Sequence, residues 1–259
     1  MKPSRLIDVN SIAGLDTARG LLPGTSVVHK FGGNPAVSTS FAPISIGGIY
    51  RTPQSGSATA LRIKAGGNAN DDRDGTGARE VTLIGLDENW NEVSEAVETN
   101  SSAASTATSI TFTRLYRAYV SASGTYATQS TGSHAADIVI EDSGGTEDWA
   151  TISSTDFVRS QTEIGVYSVP TGFTAYIPYI VISVDTNKVG DVVGFQRGNI
   201  NETSAPYTAM RMFLELGGVT GEDELKPVTP IGPFVGPCDI GFMGKVSTGT
   251  GEIDVNFEI

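Results

Sequence analysis

Few residues of this 259-residue chain are equipped for chemistry, and their spacing decides what they can do. His29, His134 and the single cysteine, Cys238, are the nucleophile and base candidates. A nucleophile needs its base in hydrogen-bond contact and a third group to orient that base, and no motif here brings such a set together. Neither Gly-x-Ser-x-Gly nor His-Glu-x-x-His occurs. Gly244-Lys245 resembles the end of a phosphate loop, but that loop's first glycine falls on Asp239 and its hydroxyl residue on Val246. Asp87 and Glu88 stand beside Trp90, a grouping that could make a sugar platform with a carboxylate pair. The same stretch, Gly85 to Glu92, reads more simply as a hairpin in which Asp, Glu and Asn turn the chain and Trp90 caps the sheet. Asn70, Asp72 and Asp74 alternate ahead of Gly75, as in the first half of a calcium loop. The closing ligand of an EF-hand would fall on Val81, one past Glu80, and no helices flank the loop. A solvated acidic turn is therefore expected, with calcium in a non-EF loop as the alternative and no other cofactor implied. One cysteine excludes an intrachain disulfide and a cysteine-based zinc cluster.

The elements that must carry these residues are strands. Gly (31), Pro (12), Ser (25) and Thr (28) dominate the composition, which suits short strands and many turns. The longest near-apolar run, Tyr176 to Val184, is about half of what a spanning helix needs, and no apolar signal core follows Met1-Lys2-Pro3-Ser4-Arg5. A net charge of −12 argues against nucleic acid as a partner. Residues 1–70 carry seven basic and two acidic groups, so this segment could lie on an acidic neighbour, for instance another copy of the chain.

Alternation and β-branched runs place strands near 26–31, 44–50, 58–65, 80–85, 92–98, 109–120 and 136–141. Others follow at 163–169, 174–184, 191–197, 208–216, 236–246 and 251–258. In the last of these Ile253, Val255 and Phe257 share one parity while Glu252, Asp254, Asn256 and Glu258 share the other, so one face is buried. Polar loops fall at 68–77, 101–109 and 121–133, and a tight acidic turn at 143–148. Pro227, Pro230, Pro233 and Pro237 predict an extended strap. The expectation is an all-β, antiparallel β-sandwich, jelly-roll-like, with residues 1–55 as an extended arm or first layer. Residues 56–217 form its core, and 218–259 a proline-rich strap with C-terminal strands that pack on the core or on a neighbour.

Gly66-Gly67-Asn68-Ala69-Asn70-Asp71-Asp72 and the following Gly85-Leu86-Asp87-Glu88-Asn89-Trp90-Asn91-Glu92 hairpin resemble structural proteins of tailed bacteriophages, especially marine ones. In that family the hairpin is followed by an aromatic and basic strand, here Phe112-Thr113-Arg114-Leu115-Tyr116-Arg117-Ala118-Tyr119-Val120. Tyr167 to Ile177 is similar to a strand, Pro-Gly turn and strand of the same proteins. The likeness spans roughly residues 58–200 and implies a class, virion structural proteins, with no catalytic residues to carry over. It implies a non-enzymatic protein of the virion, assembled in the host cytoplasm, that binds copies of itself and the major capsid protein or other virion proteins. A head decoration or cement role is expected, with a tail or neck component, or a carbohydrate- or receptor-binding β-sandwich, as the alternatives. Neither nucleic acid nor membrane is expected as a partner. Interface anchors should be aromatic; the candidates are Trp90, Tyr116, Tyr119 and Tyr179, although each reads first as intrachain core.

Overall fold

The computed structural model describes residues 13–47, 57–65, 67–124, 132–154 and 160–259. Among the described residues one short helix, α1 (Ala13–Ala18), precedes eighteen strands. These are β1 (His29–Val37), β2 (Ala42–Pro43), β3 (Thr59–Ile63), β4 (Ala78–Leu86), β5 (Glu92–Glu98) and β6 (Thr111–Phe112). Then come β7 (Arg114–Ser123), β8 (Ile138–Asp142), β9 (Asp148–Ile152), β10 (Val166–Val169), β11 (Thr174–Ile177) and β12 (Tyr179–Val184). The last six are β13 (Gly190–Gly198), β14 (Arg211–Val219), β15 (Gly221–Leu225), β16 (Ile231–Val235), β17 (Cys238–Val246) and β18 (Gly251–Glu258). Every strand pairing is antiparallel. The fold is all-β, as the alternation predicts.

A first sheet runs in the order β1-β18-β12-β15, and a second in the order β10-β17-β13-β14 with β2 beside β17. One hydrophobic cluster joins them. Ile180, Ile182, Val184, Ile253, Val255 and Phe257 from the first sheet meet Val169, Val192, Ile240, Phe242 and Val246 from the second. The buried set in β18 is the parity read from its sequence. A third sheet, β6-β3-β8-β9, and a fourth, β5-β4-β7, share another cluster that includes Leu61, Leu83, Phe112, Ile140 and Trp149. Val166 and Phe195 of the second sheet also belong to it, so that sheet contributes to both clusters.

The sheets regroup the division expected near residue 55. β1 is a nine-residue strand paired with β18, so part of the expected arm lies within the first sheet. Residues 1–12 and 48–56, which hold the two ends of that arm and the end of the strand expected at 44–50, lie outside the described residues. β3 to β9 then form one block between β2 and β10. Of the expected proline strap, Ile231–Val235 pairs with β11 as a two-stranded ribbon. Pro233 is tolerated there because β16 has a partner on one side only. β9 and β15 were not anticipated, for a physical reason. β15 reads Gly-Glu-Asp-Glu-Leu, a poor strand former that extends because β12 supplies its hydrogen bonds.

Candidate functional site

The catalytic candidates are kept apart. His29 lies on β1, 3.4 Å from Glu258. His134, almost fully buried, contacts the Ser133 hydroxyl through Nδ1 at 3.1 Å and the Ser153 carbonyl through Nε2 at 3.2 Å. Burial, opposed mainly by the Asp71 carboxylate, lowers its pKa and favours the neutral ring. Cys238 is buried, and its thiol is pushed up to about 12 by burial and then by the charge of Asp239. It stays protonated, the reverse of what a nucleophile needs.

The Asp87–Trp90 segment is the hairpin its residue types suggest. The Asp87 Oδ1 accepts the backbone N–H groups of Asn89 (2.8 Å) and Asn91 (2.9 Å), while Glu88 is exposed. Trp90 takes the left-handed conformation at the turn (φ 64°) and packs half-buried against the first cluster. Its ring faces the Arg114 guanidinium, centroid to carbon 5.3 Å.

The acidic loop is organised by the residue between the candidate ligands. Asp71 is 5% exposed, and its carboxylate accepts backbone N–H groups from Ala78, Ala135 and Ala136 at 2.9 Å each. Asn70 and Asp74 are exposed, and Asp72 Oδ1 accepts the N–H of Asp74 at 3.1 Å. Among the described residues no group of three or more His, Cys, Asp or Glu could hold a metal. A concavity beside this loop, lined by Lys64, Asp71, Thr99 and Asp137 among others, has room for about one water. Asp71→Ala is expected to cost about 2–3 kcal/mol in thermal or urea unfolding, because the buried amide of Ala78 and the part-buried amides of Ala135 and Ala136 lose their acceptor. Asp72→Ala and Asp74→Ala should each stay within about 0.5 kcal/mol. A melting temperature that rises with millimolar calcium, and does so only while Asp72 and Asp74 are intact, would restore the metal reading.

The four aromatic candidates separate by burial. Tyr116 is 5% exposed and belongs to the core, which removes it as an interface anchor. Its parity on β7 matches that of buried Arg114 and Ala118, so it points inward. Burial, then the hydrogen bond to Glu92, holds its hydroxyl protonated well above the usual tyrosine range. Tyr179 is half-buried; its hydroxyl donates to Glu224 at 2.7 Å, and Lys226 lies 5.2 Å from its ring. Tyr119 is exposed on β7.

Two arrangements escaped the sequence. One is a seam of buried charge between β7 and the first two sheets. Arg114 reaches Asp239 on β17 at 3.1 Å through Nη2, and Asp239, fully buried, also accepts the Ser168 hydroxyl at 2.6 Å. Nearby, Lys30 of β1 donates to the Tyr116 carbonyl and Arg117 to that of His29. The sequence signal was a cation, Arg114, on the same parity as Phe112, Tyr116 and Ala118, where a charge must find a partner. The other arrangement is an outward apolar face. Among the described residues β14 pairs on one side only and exposes Met212, while the β11–β16 ribbon exposes Tyr176 and Val235, with exposed Phe173 just before β11. Phe213 of β14 meets Phe234 of the ribbon edge-on at 5.1 Å and ties the two together.

No family model, curated protein or solved structure matches this chain.

Proposed function

We propose that the protein is a non-enzymatic structural protein of a tailed-bacteriophage virion, a head decoration or cement protein. It would stabilise the capsid through contacts with copies of itself and with other virion proteins. The observation that carries this reading is the contrast between two free edges. β15 presents Glu222, Asp223 and Glu224, the charged guard that keeps an edge from pairing at random. β14 is nine residues long and carries Met212, Phe213, Leu214 and Leu216, with charges at only two positions, Arg211 and Glu215, against three of five in β15. An edge left open beside an exposed apolar ribbon suits a chain that completes itself against neighbours, where repetition of weak contacts supplies the avidity. The protonated, buried thiol of Cys238 is in keeping with a protein that binds rather than reacts.

Immunogold electron microscopy of purified particles tests the proposal. Label spread regularly over the head is the expected result. Label confined to the neck or tail would move the protein to an adaptor role, and its absence from particles would overturn the virion assignment.

A further inference from the structure

Lys30 is 3% exposed on β1, at the seam where the first sheet meets β7. Its amine donates to the Tyr116 carbonyl and lies 5.7 Å from the centre of the Tyr116 ring. The charged and titratable groups around it are turned elsewhere. On β7, Arg117 donates to the His29 carbonyl and lies over Phe31, and Arg114 is held by Asp239 of β17. On β5, Glu92 accepts the Tyr116 hydroxyl, and on β10 Tyr167 packs edge-on against Tyr116 at 5.0 Å. On β18, Phe257 is opposite Lys30 in register, while Glu258 faces His29. No carboxylate among the described residues pairs with Lys30, and burial followed by repulsion from Arg117 holds its amine well below the ordinary lysine range.

We propose that Lys30 is a proton-operated latch on this seam: uncharged, it lies closed on Tyr116; on taking up a proton it is driven toward water and the seam between the first sheet and β7 loosens. The ring and the carbonyl favour an ammonium, but a second cation and the loss of water oppose it. The sign follows from linkage. The open seam exposes an ordinary lysine and the closed seam a less basic one, so the open form binds more protons between the two values. Closure is then fully favoured above the ordinary lysine value and is lost as pH falls toward the lowered one, by up to about tenfold per pH unit for one proton.

The full chain with ¹³C,¹⁵N-labelled lysine, titrated by NMR, provides the test, together with amide hydrogen exchange in β1 and β7 for the wild type and Lys30→Met. The Lys30 side-chain signal, assigned through its own backbone, should titrate below 10.5, the ordinary lysine value. Protection of β1 and β7, corrected for intrinsic exchange, should rise with pH by up to about tenfold per unit in that window and stay flat in Lys30→Met. A Lys30 signal that titrates at the ordinary lysine value, or an equal slope in Lys30→Met, would overturn the latch. If Lys30→Met does not fold, the wild-type titration decides alone.

Discussion

Asp239→Ala is expected to lower stability by about 3–5 kcal/mol in urea or thermal unfolding, the cost of leaving a buried cation without its partner. Asp239 is fully buried and Arg114 nearly so, and the guanidinium is held at the seam by Asp239, the Thr113 carbonyl and the face of Trp90. Removing the carboxylate strands both the guanidinium and the Ser168 hydroxyl that donates to it. Arg114→Ala should be equally damaging, because Asp239 then becomes an unpaired charge inside the protein. The double change Arg114→Met with Asp239→Leu should cost less than either single one, since neither charge remains to be desolvated. Losses under about 1 kcal/mol for both single variants would show that water reaches the pair and that the seam is not dry.

Gly32→Ala should lose more than about 3 kcal/mol, or fail to fold, although it adds one methyl group. A Cβ at Gly32 would run into the carbonyl oxygen of Ile44 and the backbone of Gly165, neither of which can swing aside as a side chain could. The close approach lets the 44–45 segment and residues 164–165 pass against β1, where Gly165 donates its N–H to the Ile44 carbonyl at 2.9 Å. Gly198→Ala is the control, because nothing lies within 4 Å of the methyl it would add. Equal melting temperatures for Gly32→Ala and the wild type would mean that β1 sits farther from Gly165 than described.

What was legible in the sequence was local. The parity of Ile253, Val255 and Phe257 and the turn residues at Asp87–Asn91 are each determined by neighbours within a few positions, and both are realised. The partner of Arg114 lies 125 residues away, and spacing says nothing of such distances. Lys30 was hidden for the same reason, since Tyr116, whose carbonyl and ring it meets, lies 86 residues away. Alternate residues at Asn70, Asp72 and Asp74 mark an Asx-rich turn as well as a metal loop, and the residue that organises this turn, Asp71, has the opposite parity. For Tyr116 the core reading, the stronger of the two in the sequence, is the one that the packing of β7 realises.

The pairing of β1 with β18 joins residues more than about 200 positions apart, from His29 with Glu258 to Val37 with Gly251. The block from β3 to β9 is composed of shorter-range pairings and lies entirely within that span. Loop closure favours the near contacts before the distant ones. During synthesis the ribosome therefore delivers a block that can collapse on its own while β1 waits, unpaired on its β18 side, for the last strand to emerge. A nascent chain stalled before Gly251 leaves that edge of β1 open to whatever strand is nearest, including one from a neighbouring nascent chain.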